Sequence, residues 1–174
     1  MTADVLRKLL REKLHGAHDY SHIERVLNHG KKINAVYKGN WKIIEAALLL
    51  HEITKNDLES IKMYLPEFTK PEIEGVTYCI SKHYNFVDKP TTLEGKIVQD
   101  SDILDMLGAT GIARGFMASG EKGLGLTQAK DEYKNKRLMV IDQLNLDESK
   151  KLALNKIEFT KLFFSTIDEE IKTF

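Results

Sequence analysis

The chain has 174 residues, 42% hydrophobic and 30% charged, a length and balance that fit one soluble domain able to bury its own core. Its 26 basic and 26 acidic side chains cancel, and neither sign gathers into a block, which argues against a nucleic-acid-binding face. No apolar run has the length of a membrane span, the start carries no apolar leader core, and the single cysteine, Cys79, excludes an internal disulfide. The expectation is one domain over residues 1–174 in a reducing cytoplasm, with no membrane and no sign of a nucleic-acid partner.

Taken in chain order, the apolar spacing is helical nearly throughout. Val5, Leu6, Leu9, Leu10 and Leu14 form one stripe, and Ile23, Val26, Leu27, Ile33 and Tyr37 form the next. The pattern predicts helices near 4–14, 20–37, 40–53, 57–65, 70–84, 94–107, 110–118, 128–144 and 147–172, an all-α bundle of about eight to nine helices. Start signals are read at Ser21-x-x-Glu24, Asn56-x-x-Glu59, Thr69-x-x-Glu72 and Thr91-x-x-Glu94. Cys79, within Val76–Ile80, reads as a buried, inert thiol. Gly108, Gly111 and Gly115 lack the spacing of a dinucleotide-binding loop and follow no strand, so they read as a tight turn between packed helices. The stretch Ser119–Gly125 reads as a surface loop.

Three segments carry chemistry. The third predicted helix, Ile43–Ile53, is apolar almost all round yet ends in His51-Glu52. A buried carboxylate needs a partner, and a divalent cation would satisfy both groups; a solvated helix end would serve equally well. The second helix begins His18-Asp19-Tyr20-Ser21-His22, with His22 at the edge of the Ile23/Val26 stripe. Asp19 is placed to accept the second ring proton of a ligating histidine, and His18 and His22 stand one helical turn apart. His15, His18 and His29 read more simply as surface histidines. The third segment, Glu94–Asp105, holds Asp100, Asp102 and Asp105, and helical angles do not choose among them.

These pieces together resemble the H…HD…D signature of the HD-domain phosphohydrolases, closest to the small YedJ-like subgroup of predicted HD hydrolases. The match runs through His22-Ile-Glu-Arg25-Val26, Ala46–Ile53, Lys82-His83, Lys96–Asp102 and Leu107–Arg114, with Lys136-Arg137-Leu138 through Phe164 similar to the C-terminal helical pair. The resemblance implies an HD-domain-like helical bundle holding one divalent metal ion (Mn, Fe, Co, Ni, Mg or Zn) on His22, His51, Glu52 and Asp102. Asp102 takes precedence over Asp100 because it occupies the aspartate of the family's "AD" pair, and Glu52 and Asp102 are the catalytic carboxylates. It implies hydrolysis of a phosphate ester or anhydride by cation-activated water, on a small phosphorylated metabolite of which a nucleotide is the leading class. Arg25, Lys55, His83 and Arg114 are the candidate cations for the phosphoryl oxygens.

Two features depart from the family pattern. The family's aspartate beside the second histidine is Glu52 here, one methylene longer, and the following segment Thr54–Leu58 is short. A second reading is therefore a metal- or nucleotide-binding HD module with weakened chemistry.

Overall fold

The computed structural model describes residues 3–83 and 88–172, with the side chains at positions 3, 4 and 136–138 outside the description. Position 84, where the fifth helix was expected to end, and the side chains of Lys136, Arg137 and Leu138 therefore lie outside the described residues. The order is α1 (Ala3–Lys13), a 3₁₀ turn Gly16–His18, α2 (Tyr20–Tyr37), α3 (Trp41–Thr54), a 3₁₀ turn Leu58–Ser60, α4 (Ile61–Tyr64), α5 (Lys70–His83), α6 (Leu93–Asp105), α7 (Gly108–Glu121), α8 (Leu126–Ile141) and α9 (Asp147–Lys172). There is no strand among the described residues.

The helix expected over 57–65 is a 3₁₀ turn running into one turn of α-helix, because the Asp57 side chain accepts from the Ser60 N–H and tightens the entry. The expected loop 119–125 shortens to a four-residue connection, since α7 continues to Glu121 and buries Ser119. Cap signals also shift. Asp19 rather than Ser21 caps α2, accepting from His22 N–H at 3.2 Å, and Thr92 rather than Thr91 caps α6 through Gly95 N–H at 3.1 Å. At Thr69 the expected reciprocal partner does form, with Glu72 accepting from Thr69 N–H at 2.7 Å.

α6 is the central element, packed against α2, α3, α5 and α9, and every residue from Ile97 to Asp105 is buried. Leu10, Ile23, Ile33, Ile44, Leu48 and Leu50 pack with Ile97, Ile103 and Leu104 of α6 in one core, each burial contributing about 1.5–3 kcal/mol. Gly30 lets α2 approach closely. A Cβ there would stand 2.7 Å from Leu48 Cδ1 and 3.3 Å from Ser101 Oγ. A second cluster, Ile112, Tyr133 and Phe164, joins α7, α8 and α9. The glycine turn expected between α6 and α7 is tight at Gly108, whereas Gly111 and Gly115, expected in the same turn, lie inside α7, Gly115 against the Tyr133 ring. Gly108 adopts φ +75°, and a Cβ on Gly111 would meet the Met106 carbonyl at 2.3 Å. Cys79 is buried, and burial pushes its thiol up to about 12.

Candidate metal centre

α2, α3 and α6 meet where each contributes one turn of polar side chains to an otherwise apolar core. Asp19 fixes the start of α2, accepting from Ser21 Oγ at 2.6 Å as well as from the His22 backbone, and so places His22 in the first turn facing inward. The acceptor of the second His22 ring proton is therefore not Asp19, as the sequence implied, but Asp105, 2.8 Å from His22 Nδ1. Asp19 is consumed by the cap.

At the end of α3, His51 Nδ1 donates to Leu48 O at 2.8 Å, one turn back along its own helix. With both Nδ1 atoms engaged, the two Nε2 atoms face each other 3.0 Å apart. Around this pair stand Asp102 Oδ1, 3.6 Å from His22 Nε2, and Glu52 Oε1, 3.5 Å from His22 Nε2 and 3.6 Å from His51 Nε2. One ligand atom each from His22, His51 and Asp102 falls within 4.8 Å of the others. All three residues are buried, and the Glu52 side chain is only 2% exposed.

The donor set fits a divalent cation. A neutral imidazole that donates from Nδ1 carries a lone pair on Nε2, so two such rings at 3.0 Å repel unless a cation or proton lies between them. A metal with nitrogen bonds of about 2.0–2.1 Å sets neighbouring donors roughly 3.0–3.4 Å apart, close to the separations seen here. Two imidazoles with two carboxylates match first-row divalent ions.

The electrostatics follow from this crowding. Burial, with His22 and His83 beside it, pulls His51 down to about 3. Burial also acts to lower His22, but Asp105 and Glu52 outweigh it and raise the ring. For Glu52, burial pushes upward, yet the contacts to His22, His51 and Lys55 hold the carboxyl well below the usual carboxylate range. Asp105 is likewise held low, because His22, Arg25 and Arg114 reverse the effect of its burial.

The remaining expected residues fall at different depths. Lys55 Nζ donates to Glu52 Oε2 at 2.5 Å. His83 is buried with its ring centroid 5.2 Å from that of His51, and its Nδ1 donates to Ile80 O at 2.5 Å. Arg25 and Arg114 converge on Asp105 at 2.7 and 2.6 Å, beside the cluster rather than in it. Asp100, also fully buried, accepts from Asn145 N–H, Asn145 Nδ2 and Leu146 N–H at 2.8–2.9 Å and fastens the α8–α9 turn, so it takes no part in the cluster.

Two residues noted in the sequence but not chosen for the site also belong to it. His18, read as a surface histidine, sits at the mouth of the cluster with its side chain 43% exposed and Nε2 3.9 Å from Glu52 Oε1. Its distance of four from His22 was the available signal, although the helix starts only after His18. Asp105 was one of three undistinguished aspartates. Its spacing of three from Asp102 puts both on one helical face.

No protein-family model matches the chain. The uncharacterized protein YpgQ of Bacillus subtilis is 30% identical over 174 residues, covering 88% of this chain and 84% of that protein. A crystal structure of YpgQ in complex with ADP superposes with a TM-score of 0.78 at 29% identity, covering 98% of both chains. The crystal structure of an HD-superfamily hydrolase from Bacillus thuringiensis superposes with a TM-score of 0.75 at 26% identity, covering 97% of this chain and 96% of that one.

Proposed function

Since the chain belongs to the HD superfamily of hydrolases, we propose that it is a metal-dependent phosphohydrolase cleaving a phosphate ester or anhydride of a small phosphorylated metabolite, with a nucleotide as its substrate class. The observation that carries this reading is the convergence of His22 Nε2 and His51 Nε2 at 3.0 Å with Glu52 and Asp102 oxygens beside them. The ADP bound to the related YpgQ supports a nucleotide ligand.

In this reading His22, His51, Glu52 and Asp102 hold the divalent ion. When bound, such an ion supplies Lewis-acid activation of water and neutralises charge on phosphoryl oxygens. The protein's own groups do the rest. The apolar walls around His22 and His51 exclude bulk water, which strengthens every electrostatic contact inside. Asp102 and Glu52 orient the attacking water through the oxygens they turn to the cluster. Lys55 and His83 flank the carboxylates and face the phosphoryl group as it gains charge. His18, half-exposed at the mouth, hydrogen-bonds the part of the substrate that projects toward solvent.

Turnover of a panel of nucleotides and simple phosphate esters, with manganese, cobalt, nickel, zinc or magnesium added in turn, tests the proposal. The expected result is metal-dependent release of phosphate or pyrophosphate that His51→Ala abolishes. Release that is unchanged in His51→Ala contradicts it. The pairing of Glu52 with Lys55 favours one other reading, a nucleotide-binding module with weakened chemistry. That module would gain thermal stability with a nucleotide and form no product.

A further inference from the structure

We propose that Asp105 is a positioning residue for the metal centre: with Arg25 and Arg114 holding its charge, it fixes His22 in the tautomer that carries its proton on Nδ1 and offers the bare Nε2 to the cation. This rests on the metal site proposed above and assigns Arg25 and Arg114 to that site's support.

Asp105 is fully buried on the last turn of α6, one turn beyond Asp102, so the same helical face delivers a ligand and the carboxylate behind the ligand. Its two oxygens receive four nitrogens from two other helices. Oδ2 lies 2.8 Å from His22 Nδ1, 2.6 Å from Arg114 Nη1 and 3.3 Å from Arg25 Nη2, and Oδ1 lies 2.7 Å from Arg25 Nε. Hydrogen-bond valence then dictates the tautomer. Guanidinium groups only donate and keep their charge in proteins. A carboxylate paired with two of them has acceptor lone pairs and no proton to give, so the imidazole nitrogen facing it must be the N–H. A neutral ring has one N–H, which leaves Nε2 with its lone pair. A protonated Asp105, or an uncharged amide in its place, has a donor to offer to Nδ1 and would move the ring proton to Nε2, where it blocks a metal.

The arginines extend the clamp along the chain. Arg114 Nε donates to Ala17 O at 2.7 Å, and Arg25 Nη1 donates to Ser21 Oγ at 2.8 Å, which in turn donates to the Asp19 cap. The start of α2 is thereby tied to α6 and α7 on both sides of His22. His51 reaches the same tautomer by a local route, through the Leu48 carbonyl. The two rings therefore present matched lone pairs although one is oriented by its own helix and the other by a distant carboxylate. Outer carboxylates of this kind typically alter metal affinity 10- to 100-fold.

The test pairs nitrogen NMR of the histidine rings with Mn²⁺ titration by calorimetry. In metal-free wild-type protein, at alkaline pH where the ring carries a single proton, His22 is expected to hold that proton on Nδ1. Asp105→Asn is expected to shift it toward Nε2 and to weaken Mn²⁺ binding by about 10- to 100-fold. Asp100→Asn, equally buried on the same helix but outside the site, is expected to leave the Mn²⁺ affinity unchanged. A His22 proton on Nε2 in the wild type overturns the inference, and this readout stands even if Asp105→Asn does not fold. Equal Mn²⁺ affinity in wild type and a folded Asp105→Asn overturns it as well. Wild-type protein that takes up no Mn²⁺ removes the metal site itself, a separate failure.

Discussion

Glu52 divides its two oxygens between two partners. Oε1 faces the imidazoles at 3.5 and 3.6 Å, and Oε2 is held by Lys55 at 2.5 Å. An aspartate at this position would be one methylene shorter and would carry its carboxylate differently. The glutamate's extra torsion needs a second contact to hold it, and Lys55, three residues on along the chain, supplies that contact. Calorimetric titration with Mn²⁺ should show Glu52→Ala weakening binding by about 10- to 100-fold, the equivalent of a charge-assisted contact of roughly 1.5–3 kcal/mol. Lys55→Met should weaken it less, because the carboxylate remains but loses its anchor. An unchanged affinity in Glu52→Ala would remove Glu52 from the ligand set.

A different residue governs part of the acid response. Burial, with Lys156 nearby, lowers His29 to about 4. The unfolded chain therefore takes up a proton near pH 6.5 that the folded chain refuses until about pH 4. The stability that the neutral ring contributes is complete above pH 6.5 and is lost as the pH falls toward 4. Urea unfolding across this window should give a stability that rises with pH, and His29→Gln should make that rise shallower.

At the scale of elements, α6 explains what the sequence could and could not reveal. Its apolar residues identified a helix within a residue or two, but not a face, because a helix buried from Ile97 to Asp105 has no solvent side to mark one. The three aspartates have different partners, Asp100 the α8–α9 turn, Asp102 the cluster with His22 and His51, and Asp105 His22 and two arginines. Apart from Arg114, nine positions from Asp105, those partners lie 45 to 83 positions away along the chain, farther than any local pattern spans, which is why periodicity left the choice open while resemblance to a family pointed to Asp102. Asp100→Ala should strand the Asn145 and Leu146 N–H groups and lower unfolding stability by about 2–4 kcal/mol. Mn²⁺ affinity should stay as it was. The α7–α8 crossing offers a second element-scale test. A Cβ on Gly115 would stand 1.8 Å from the Tyr133 ring, whose hydroxyl donates to Met106 O. Gly115→Ala should therefore destabilise the fold by about 1–3 kcal/mol through overpacking, as read by thermal unfolding.

At the scale of the whole molecule, the helix order and most boundaries were legible because nearly every helix buries one stripe on a shared core. Irregular joints were less so. The Leu58–Ser60 turn, the caps at Asp19 and Thr92 and the extension of α7 through Ser119 all depend on side-chain contacts that no periodicity encodes. The proposed metal centre lies where three of these helices meet, so occupancy should stabilise the fold as a unit. Manganese at 100 times its dissociation constant should add about 2.7 kcal/mol to stability and raise the melting temperature by roughly 5–11 °C, an effect that a chelator reverses.

In the proposed function, His22, His51, Glu52 and Asp102 form one metal centre. An anomalous difference map from crystals grown with manganese tests it directly. A single strong peak is expected within bonding distance of His22 Nε2, His51 Nε2 and an oxygen each of Asp102 and Glu52. A map with no peak between the two imidazoles, or with the ion bound to Asp100, would contradict it.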